Sequence, residues 1–156
     1  LGIKWSHFQD RILSYKPPKG RCEVSKYDKI TVIDDTYNSN LESCSAAIDY
    51  LKAFSGNGRR IVVLGDMLEL GDASEEQHRN IGYKCSSSNL DAVFTFGENA
   101  FFIKESVKGI KKNHHFEIRK DLINSLKLEL KENDKVLFKG SRGMKMEEII
   151  EGVFGE

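Results

Sequence analysis

Short apolar runs alternate with amphipathic helical patterns along most of this chain. The runs at residues 30–33, 61–64, 91–96 and 136–138 are apolar at nearly every position, as in strands that are buried on both faces of a parallel sheet. Strands that are separated by single helices imply right-handed crossovers and a layered arrangement. The sequence therefore predicts a three-layer α/β domain, with a mostly parallel sheet of about six strands flanked by helices.

The spacing of apolar residues places these elements along the chain. Strands are predicted at residues 21–24, 30–34, 60–64, 91–96, 115–118 and 135–138. Helices are predicted at residues 41–54, 74–86, 102–110, 122–131 and 146–154. Side chains that could cap three of these helices are Asn40, Ser74 in a capping box with Gln77, and Asp121.

Composition excludes several classes of function. The chain has 156 residues, enough for one domain with a sizeable core. Its 24 basic and 24 acidic residues leave no net charge, which argues against binding to nucleic acid or to an anionic membrane. No apolar run approaches the roughly 20 residues that a membrane span needs.

The cysteines and histidines give no metal or disulfide signature. Cys22, Cys44 and Cys85 are widely spaced and odd in number, which argues against a disulfide framework and fits a reducing cytoplasm. No cluster of histidine, cysteine and carboxylate residues has ligand spacing, so a metal held by this chain is not expected. His78 lies within a helical pattern and is predicted to be structural, whereas His7, His114 and His115 are predicted to lie at the surface.

The first twenty residues differ from the rest. They lack a regular period and contain Pro17 and Pro18, a pair that favours an extended, semi-rigid segment. The first residue is leucine. We therefore expect the chain to be part of a longer protein, with a linker at residues 1–20 that leads into a domain at residues 21–156.

Polar residues follow several of the predicted strands. Because parallel strands share one carboxyl edge, these residues should gather in one crevice, where open α/β sheets bind ligands. The strand-end residues are Asp34 and Asp35, Asp66, Thr95 with Gly97, and Lys139 with Ser141 and Arg142. Glu69, in the loop after Asp66, could face either this crevice or the solvent.

The segment Asp34-Asp35-Thr36-Tyr37-Asn38-Ser39-Asn40 is the strongest candidate for a binding loop. A carboxylate such as Asp35 can accept hydrogen bonds from ribose hydroxyls or from an incoming ammonium group. Tyr37 and Asn38 add neutral hydrogen-bonding groups that fix orientation. The alternative for Asp34 and Asn40 is turn and capping chemistry, in which these side chains bond to the local backbone.

The segment Lys139-Gly140-Ser141-Arg142-Gly143 is a candidate anion site. Its glycines let the backbone approach a ligand closely, and the N–H groups of a helix start add positive potential. Arg142 supplies a fork that matches a carboxylate. The alternative is an ordinary turn with solvated charges. The pattern is not a P-loop, since Gly-x-x-x-x-Gly-Lys-Ser/Thr does not occur in the chain.

Three stretches together resemble the C-terminal domain of the Mur ligases. They are residues 34–40, residues 63–71 (Val-Leu-Gly-Asp-Met-Leu-Glu-Leu-Gly) and residues 136–147 (Val-Leu-Phe-Lys-Gly-Ser-Arg-Gly-Met-Lys-Met-Glu). The resemblance covers about residues 20–154. It implies a Rossmann-like fold for residues 21–156 and identifies residues 1–20 as the end of a central ATPase domain and its linker.

The resemblance also implies a reaction. A bacterial cytoplasmic enzyme would use ATP to phosphorylate the terminal carboxylate of UDP-MurNAc-tripeptide, and the amine of D-alanyl-D-alanine would attack the acyl phosphate, in peptidoglycan synthesis. ATP and magnesium would be bound mainly by the central domain. The chain would work as a monomer with N-terminal and central domains of the same polypeptide, and would be inactive alone.

The family resemblance assigns roles to the candidate residues. The residues expected to contact ATP or the amine substrate are Asp35, Tyr37, Asn38 and Asn40. The residues expected to hold the carboxylate of the dipeptide, or a transferring phosphoryl oxygen, are Lys139, Ser141 and Arg142. Asp34 and Asp66 are further candidates.

Two other classes of protein fit parts of the pattern. Phospho-receiver domains also place paired aspartates, a later aspartate, a threonine and a lysine after successive strands, in the order seen for Asp34, Asp35, Asp66, Thr95 and Lys139. A Gly-Ser-Arg-Gly sequence after the lysine argues against that class. A free-standing Rossmann-like nucleotide-binding module is the second alternative, although Gly-x-Gly-x-x-Gly does not follow the first strand.

Overall fold

A computed structural model describes residues 19–155 of the chain. A six-stranded sheet runs through this part, with helices on both faces. The strands are β1 Glu23–Tyr27, β2 Ile30–Asp35, β3 Arg60–Gly65, β4 Ala92–Phe96, β5 Lys112–Phe116 and β6 Lys135–Lys139. The helices are α1 Leu41–Ala53, α2 Ser74–Ser86, α3 Ala100–Ser106, α4 Arg119–Glu129 and α5 Glu147–Phe154.

The strand order across the sheet is β1-β2-β6-β3-β4-β5. β1 pairs with β2 in the antiparallel direction, and every other neighbouring pair is parallel. The prediction of a mostly parallel sheet of about six strands is confirmed. The predicted linker at residues 1–20 lies almost wholly outside the described residues.

Two hydrophobic clusters form the core, one on each face of the sheet. The first packs α1, α2 and α3 against the strands through residues such as Ile48, Leu51 and Ile103. The second packs α4 and α5 against the other face through residues such as Leu126 and Ile149. The molecule therefore has the three layers that the sequence predicted, and the strands between the helical layers are apolar because both of their faces are covered.

The last strand creates the position of the site. β6 enters the sheet between β2 and β3, so it separates two strands that are consecutive in the parallel part of the chain. The chain leaves β2 toward α1 on one face and leaves β6 toward α5 on the other. A crevice is expected where connections diverge in this way, and here it lies beside Asp35 and Lys139, which are paired in register at the carboxyl ends of β2 and β6.

Two predicted boundaries at the β5 edge of the sheet were wrong. β5 spans Lys112–Phe116 rather than residues 115–118, because it aligns in register with Ala92–Phe96 of β4. The next helix begins at Arg119, so Asp121 lies inside its first turn and does not cap it. A carboxylate in the first turn still interacts favourably with the helix dipole.

Of the three predicted helix caps, only the one at Asn40 forms. Asn40 caps α1: its Oδ1 accepts the Ser43 N–H at 2.8 Å, and Ser43 Oγ accepts the Asn40 N–H at 3.1 Å. The predicted capping box at Ser74 is absent. Ser74 Oγ instead donates to Asn99 Oδ1 at 3.1 Å, because a 3-10 turn at Gly71–Ala73 leads directly into α2.

No helix within residues 19–155 is long and apolar enough to cross a bilayer.

A network of ion pairs stabilises the end of the sheet opposite the crevice, where β3 and β6 begin. Asp134, which is buried, accepts hydrogen bonds from Arg59 Nη2 at 2.7 Å, from Arg59 Nε at 3.0 Å and from the Lys131 N–H at 2.8 Å. Arg59 also pairs with Glu129. These hydrogen bonds raise the pKa of the Arg59 guanidinium above its ordinary value, so Arg59 carries its positive charge in the folded protein.

We expect Asp134→Ala to lower the free energy of unfolding by about 1–3 kcal/mol, because it leaves three donors without their acceptor. The matched control is Glu132→Ala. Glu132 pairs with Lys29 at 2.9 Å, but both side chains are more than 60% exposed, so its loss should cost less than about 0.5 kcal/mol. Urea unfolding of both variants measures the difference. Equal destabilisation would contradict the role of burial.

Candidate functional site

A buried ion pair lies at the centre of the crevice. Lys139 Nζ is 2.5 Å from Asp35 Oδ2, and the two side chains are 2% and 14% exposed. The same ammonium donates to the Asn38 carbonyl at 2.8 Å, and Asp35 Oδ1 accepts the Cys22 N–H at 3.1 Å. The strand-end carboxylate and lysine that the sequence singled out are therefore joined to each other, and they hold the loop after β2 in place.

A cleft of about 610 Å³ opens beside this pair. The predicted residues that line it are Asp35, Tyr37, Asn38, Asn40 and Lys139. Its far wall is formed by residues of α1, from Ser43 to Tyr50. This volume lies within the range of small-molecule sites. We call it the larger cleft.

A second cleft of about 280 Å³ lies on the other side of Tyr37 and Asn38. We call it the smaller cleft. Its remaining wall is formed by Leu68, Glu69, Ser141, Arg142 and Gly143. The two clefts share the Tyr37–Asn38 segment. Together they are lined by all seven residues to which the family resemblance assigns a contact: Asp35, Tyr37, Asn38, Asn40, Lys139, Ser141 and Arg142. Glu69, for which the sequence left two interpretations open, faces the smaller cleft.

Tyr37 is held by the segment that enters the domain. Its N–H donates to the Gly20 carbonyl at 2.9 Å, and the Arg21 guanidinium carbon lies 4.2 Å from its ring centroid, a cation–π distance. The side chain is still 46% exposed. Tyr37 therefore presents an oriented and partly exposed aromatic ring to both clefts. Arg21 was missed by the sequence reasoning, because nothing in its neighbourhood marks it as close to residue 37.

Ser141 joins three loops. Its backbone N–H donates to the Asp66 carbonyl at 2.9 Å. Its hydroxyl accepts the Leu68 N–H at 2.8 Å and donates to the Ser39 carbonyl at 3.3 Å. The side chain is nearly inaccessible, at 4% exposed. Ser141 thus lines the smaller cleft, but its hydroxyl is already used in fixing the shape of that cleft.

Arg142 and Glu69 are the charged groups of the smaller cleft. The Arg142 side chain is 66% exposed and pairs with Glu147 at 3.0 Å, so its guanidinium remains accessible to a ligand. Glu69 has a φ of +64°, a left-handed conformation that is uncommon for a residue with a side chain. Such backbone outliers persist only where the surrounding structure holds them.

Three predicted strand-end groups take structural positions instead. Asp34 Oδ1 accepts both the N–H of Thr36 at 3.1 Å and its hydroxyl at 2.6 Å, an Asx-type turn. Asp66 is buried, and its Oδ1 accepts the Ala100 N–H at 2.6 Å at the start of α3. Thr95 is buried and contacts His115 Nδ1 at 2.9 Å. None of the three lines either cleft.

Thiol and metal chemistry receive no support in the described part of the chain. Burial raises the pKa of Cys44 to about 12. Burial, reinforced by the negative charge of Asp35, also raises the pKa of Cys22. Thiols in this state are poor nucleophiles at neutral pH. Residues 19–155 contain no group of three or more histidine, cysteine or carboxylate side chains placed to hold a metal ion.

We expect Ser141→Ala to lower the free energy of unfolding by about 1–3 kcal/mol, because the Leu68 N–H loses its acceptor in a nearly buried position. The control is Ser87→Ala. Ser87 Oγ donates to the Lys84 carbonyl at 3.0 Å in an exposed position, so its loss should change stability by less than about 0.5 kcal/mol. Thermal or urea unfolding separates the two. Similar costs would contradict the linking role of Ser141.

Comparison with known proteins places the chain in a family. Residues 20–142 match the model of the Mur ligase, glutamate ligase domain. The chain is 41% identical over 134 residues to the UDP-N-acetylmuramoyl-tripeptide–D-alanyl-D-alanine ligase of Bacillus subtilis. The aligned segment covers 83% of the chain and 29% of that protein. It is also 41% identical over 135 residues to the Haemophilus influenzae ligase of the same name, covering 85% and 29%.

Solved structures agree. The MurF ligase of Thermotoga maritima in complex with ADP matches with a TM-score of 0.78 at 31% identity, over 90% of this chain and 31% of that one. Acinetobacter baumannii MurF matches with a TM-score of 0.85 at 28% identity, over 99% and 35%. The chain spans 29% of the length of these two curated relatives. With the three motif stretches meeting around two adjoining clefts, these matches show that the chain belongs to the Mur ligase family.

Proposed function

We propose that residues 21–156 form the C-terminal domain of an ATP-dependent amide ligase that adds D-alanyl-D-alanine to UDP-MurNAc-tripeptide in peptidoglycan synthesis. The observation that carries the proposal is the meeting of the three motif stretches around two adjoining clefts. It is supported by 41% identity to ligases that bear this activity in their names.

The proposed reaction needs little covalent chemistry from this domain. ATP phosphorylates the terminal carboxylate of the tripeptide and leaves as ADP, and the dipeptide amine attacks the acyl phosphate, losing a proton and releasing phosphate as the amide forms. Such a reaction depends on orienting the two reactants and on stabilising negative charge at the transferring group. It also depends on excluding water from the acyl phosphate. Fixed polar groups at the rim of a rigid sheet suit these tasks.

For the larger cleft, we propose contact with the nucleotide or with the incoming amine. Tyr37 offers an aromatic face, and Asn38 and Asn40 offer hydrogen-bonding groups at its rim. Lys139 has three N–H donors, and Asp35 and Asn38 engage two of them in the described residues. The Lys139 side chain is only 2% exposed, so we assign Lys139 a supporting role, in which it holds Asp35 and the loop that carries Tyr37 and Asn38.

For the smaller cleft, we propose an anionic group, either the carboxylate of the dipeptide or a transferring phosphoryl oxygen. Arg142 is the exposed cation of this cleft, and its planar fork can bind two oxygens of one anion. Ser141 shapes the cleft through the Leu68 N–H and the Ser39 carbonyl. We therefore assign Ser141 a supporting role and Arg142 the direct contact.

ATP and magnesium would be held mainly by another domain of the same polypeptide, since no P-loop occurs in the 156 residues. The described part of the chain also offers no metal-binding group of three or more side chains. We accordingly propose a monomeric enzyme of the bacterial cytoplasm, in which N-terminal and central domains complete the site. The present chain alone should form no amide product from ATP, the tripeptide nucleotide and the dipeptide.

The phospho-receiver alternative is not supported. The five parallel strands lie in the chain order 1-5-2-3-4 across the sheet, whereas the flavodoxin-like order of receivers is 2-1-3-4-5. Asp66, which would have to accept the phosphoryl group, is buried and bonded to the Ala100 N–H. The comparisons likewise identify ligases.

We expect Arg142→Ala, in the longer natural polypeptide, to lower kcat/KM for the dipeptide by about 10- to 100-fold, the value of one charge-assisted contact. Arg142→Lys should recover part of the loss, because it keeps the charge but not the fork. Both variants should unfold at nearly the wild-type temperature, since the side chain is largely exposed. Phosphate release and chromatography of the amide product provide the measurement.

The control is Lys29→Ala, at the opposite edge of the sheet, where the side chain is 64% exposed. It removes one positive charge, as Arg142→Ala does, and should leave ligation unchanged. Equal losses in both variants would indicate a general charge effect. An Arg142→Ala enzyme with wild-type kinetics would remove the proposed role of the smaller cleft.

A further inference from the structure

His78 is buried beneath the loop that forms one wall of the smaller cleft. Its Nε2 lies 3.0 Å from the backbone nitrogen of Met67, and its Nδ1 lies 2.7 Å from the carbonyl oxygen of Ser74. The side chain is completely inaccessible to solvent. The helical pattern predicts a structural histidine here, and burial in α2 agrees with it, but these two contacts define a more specific state.

The two contacts require one neutral tautomer. The Met67 N–H is a donor, so Nε2 must accept, and the Ser74 carbonyl is an acceptor, so Nδ1 must carry the proton. A protonated ring would place an N–H at Nε2 against the N–H of Met67. The contact with Met67 would then become repulsive, whereas the contact with Ser74 would remain.

The Met67 contact is linked to the smaller cleft through the adjoining residues. Leu68 and Glu69 line the cleft. The Leu68 N–H is bound by Ser141 Oγ at 2.8 Å, and Glu69 adopts its left-handed conformation immediately afterwards. Two consecutive backbone N–H groups are thus bound by buried side chains: that of Met67 by His78, and that of Leu68 by Ser141. These two hydrogen bonds fix the wall.

The surroundings favour a neutral ring. Burial is the main influence and holds the pKa of His78 below its ordinary value of 6.5. The Ser74 carbonyl and the charge of Asp66 oppose this effect. On its own helix, Glu75 and Arg79 pair with each other at 2.8 Å, and the neutral Asn99 side chain accepts from Ser74 Oγ.

We propose that His78 is a positioning residue, which holds the Met67–Glu69 wall of the smaller cleft in its binding conformation only while the ring is neutral. Protonation of the ring releases the Met67 N–H and weakens anion binding beside Arg142. As far as it concerns ligation, this inference rests on the proposed function. The conformational part concerns only the present chain and can be tested without substrate.

The first test is an NMR titration of the wild-type chain from pH 8 downwards. Because the folded-state pKa is lowered, the ring should titrate below pH 6.5. The Met67, Leu68 and Glu69 amide signals should shift with the same midpoint as the His78 ring. Loop amides that stay constant while the ring titrates would overturn the inference. So would a ring that stays neutral down to the pH of acid unfolding.

The second test compares His78→Gln with the control His115→Gln. Glutamine can place Oε1 near the position of Nε2 and accept the Met67 N–H, but it does not titrate. His78→Gln should abolish the pH-dependent shifts of the Leu68 and Glu69 amides. His115, on β5, also has a pKa lowered by burial but contacts Thr95, so His115→Gln should keep these shifts.

In the longer polypeptide, kcat/KM for the dipeptide should fall by about tenfold in total as the pH drops through the midpoint of the ring titration, and then level off. His78→Gln should remove that fall, because glutamine does not titrate. An unchanged profile in an active His78→Gln enzyme would overturn the positioning role and leave the proposed function intact. Absence of ligation at every pH in the wild type would overturn the proposed function, and the amide shifts alone would then decide the role of His78.

Discussion

The ion pair between Asp35 and Lys139 is the interaction on which the site depends. It joins the carboxyl ends of β2 and β6 at paired register positions. Removing two charges from water is costly, and their attraction offsets this cost only when the remaining hydrogen bonds are satisfied. The Asn38 carbonyl supplies one further hydrogen bond to Lys139, and the Cys22 N–H supplies one to Asp35. The pair therefore fixes the loop after β2, and the partition between the clefts follows from it.

The sheet order explains why residues so far apart in the chain meet here. β6 lies between β2 and β3, so the turn after β6 has the loops of both neighbours beside it. Ser141 uses this position fully, since it bonds to Ser39 on one side and to Asp66 and Leu68 on the other. A β6 strand at the edge of the sheet would have only one such neighbour, and the smaller cleft would lose a wall.

The sequence predicted the central strands, and it singled out many of the residues that line the two clefts, because both follow from local pattern. Strands that are buried on two faces are apolar throughout. β5 lies instead at an edge of the sheet, with the sequence Lys-Asn-His-His-Phe and mostly half-buried side chains. Its predicted position was therefore wrong. Asp34 and Asp35 illustrate a second limit. Adjacent strand residues point to opposite faces, so only one of the two carboxylates could reach Lys139. Arg21 and Tyr50 reach the larger cleft through tertiary packing, which leaves no mark on neighbouring residues.

The groups best placed to meet a ligand are also the least shielded from water. Tyr37 is 46% exposed and the Arg142 side chain is 66% exposed, and exposed charges interact weakly because solvent screens them. The supporting groups Lys139, Ser141 and His78 are, by contrast, buried. A rigid, dry base thus carries a wet contact surface. Under the proposed function, a covering domain would remove that water, and Arg142 would then act in a medium where a single charge stabilises a phosphoryl or carboxylate group far more strongly.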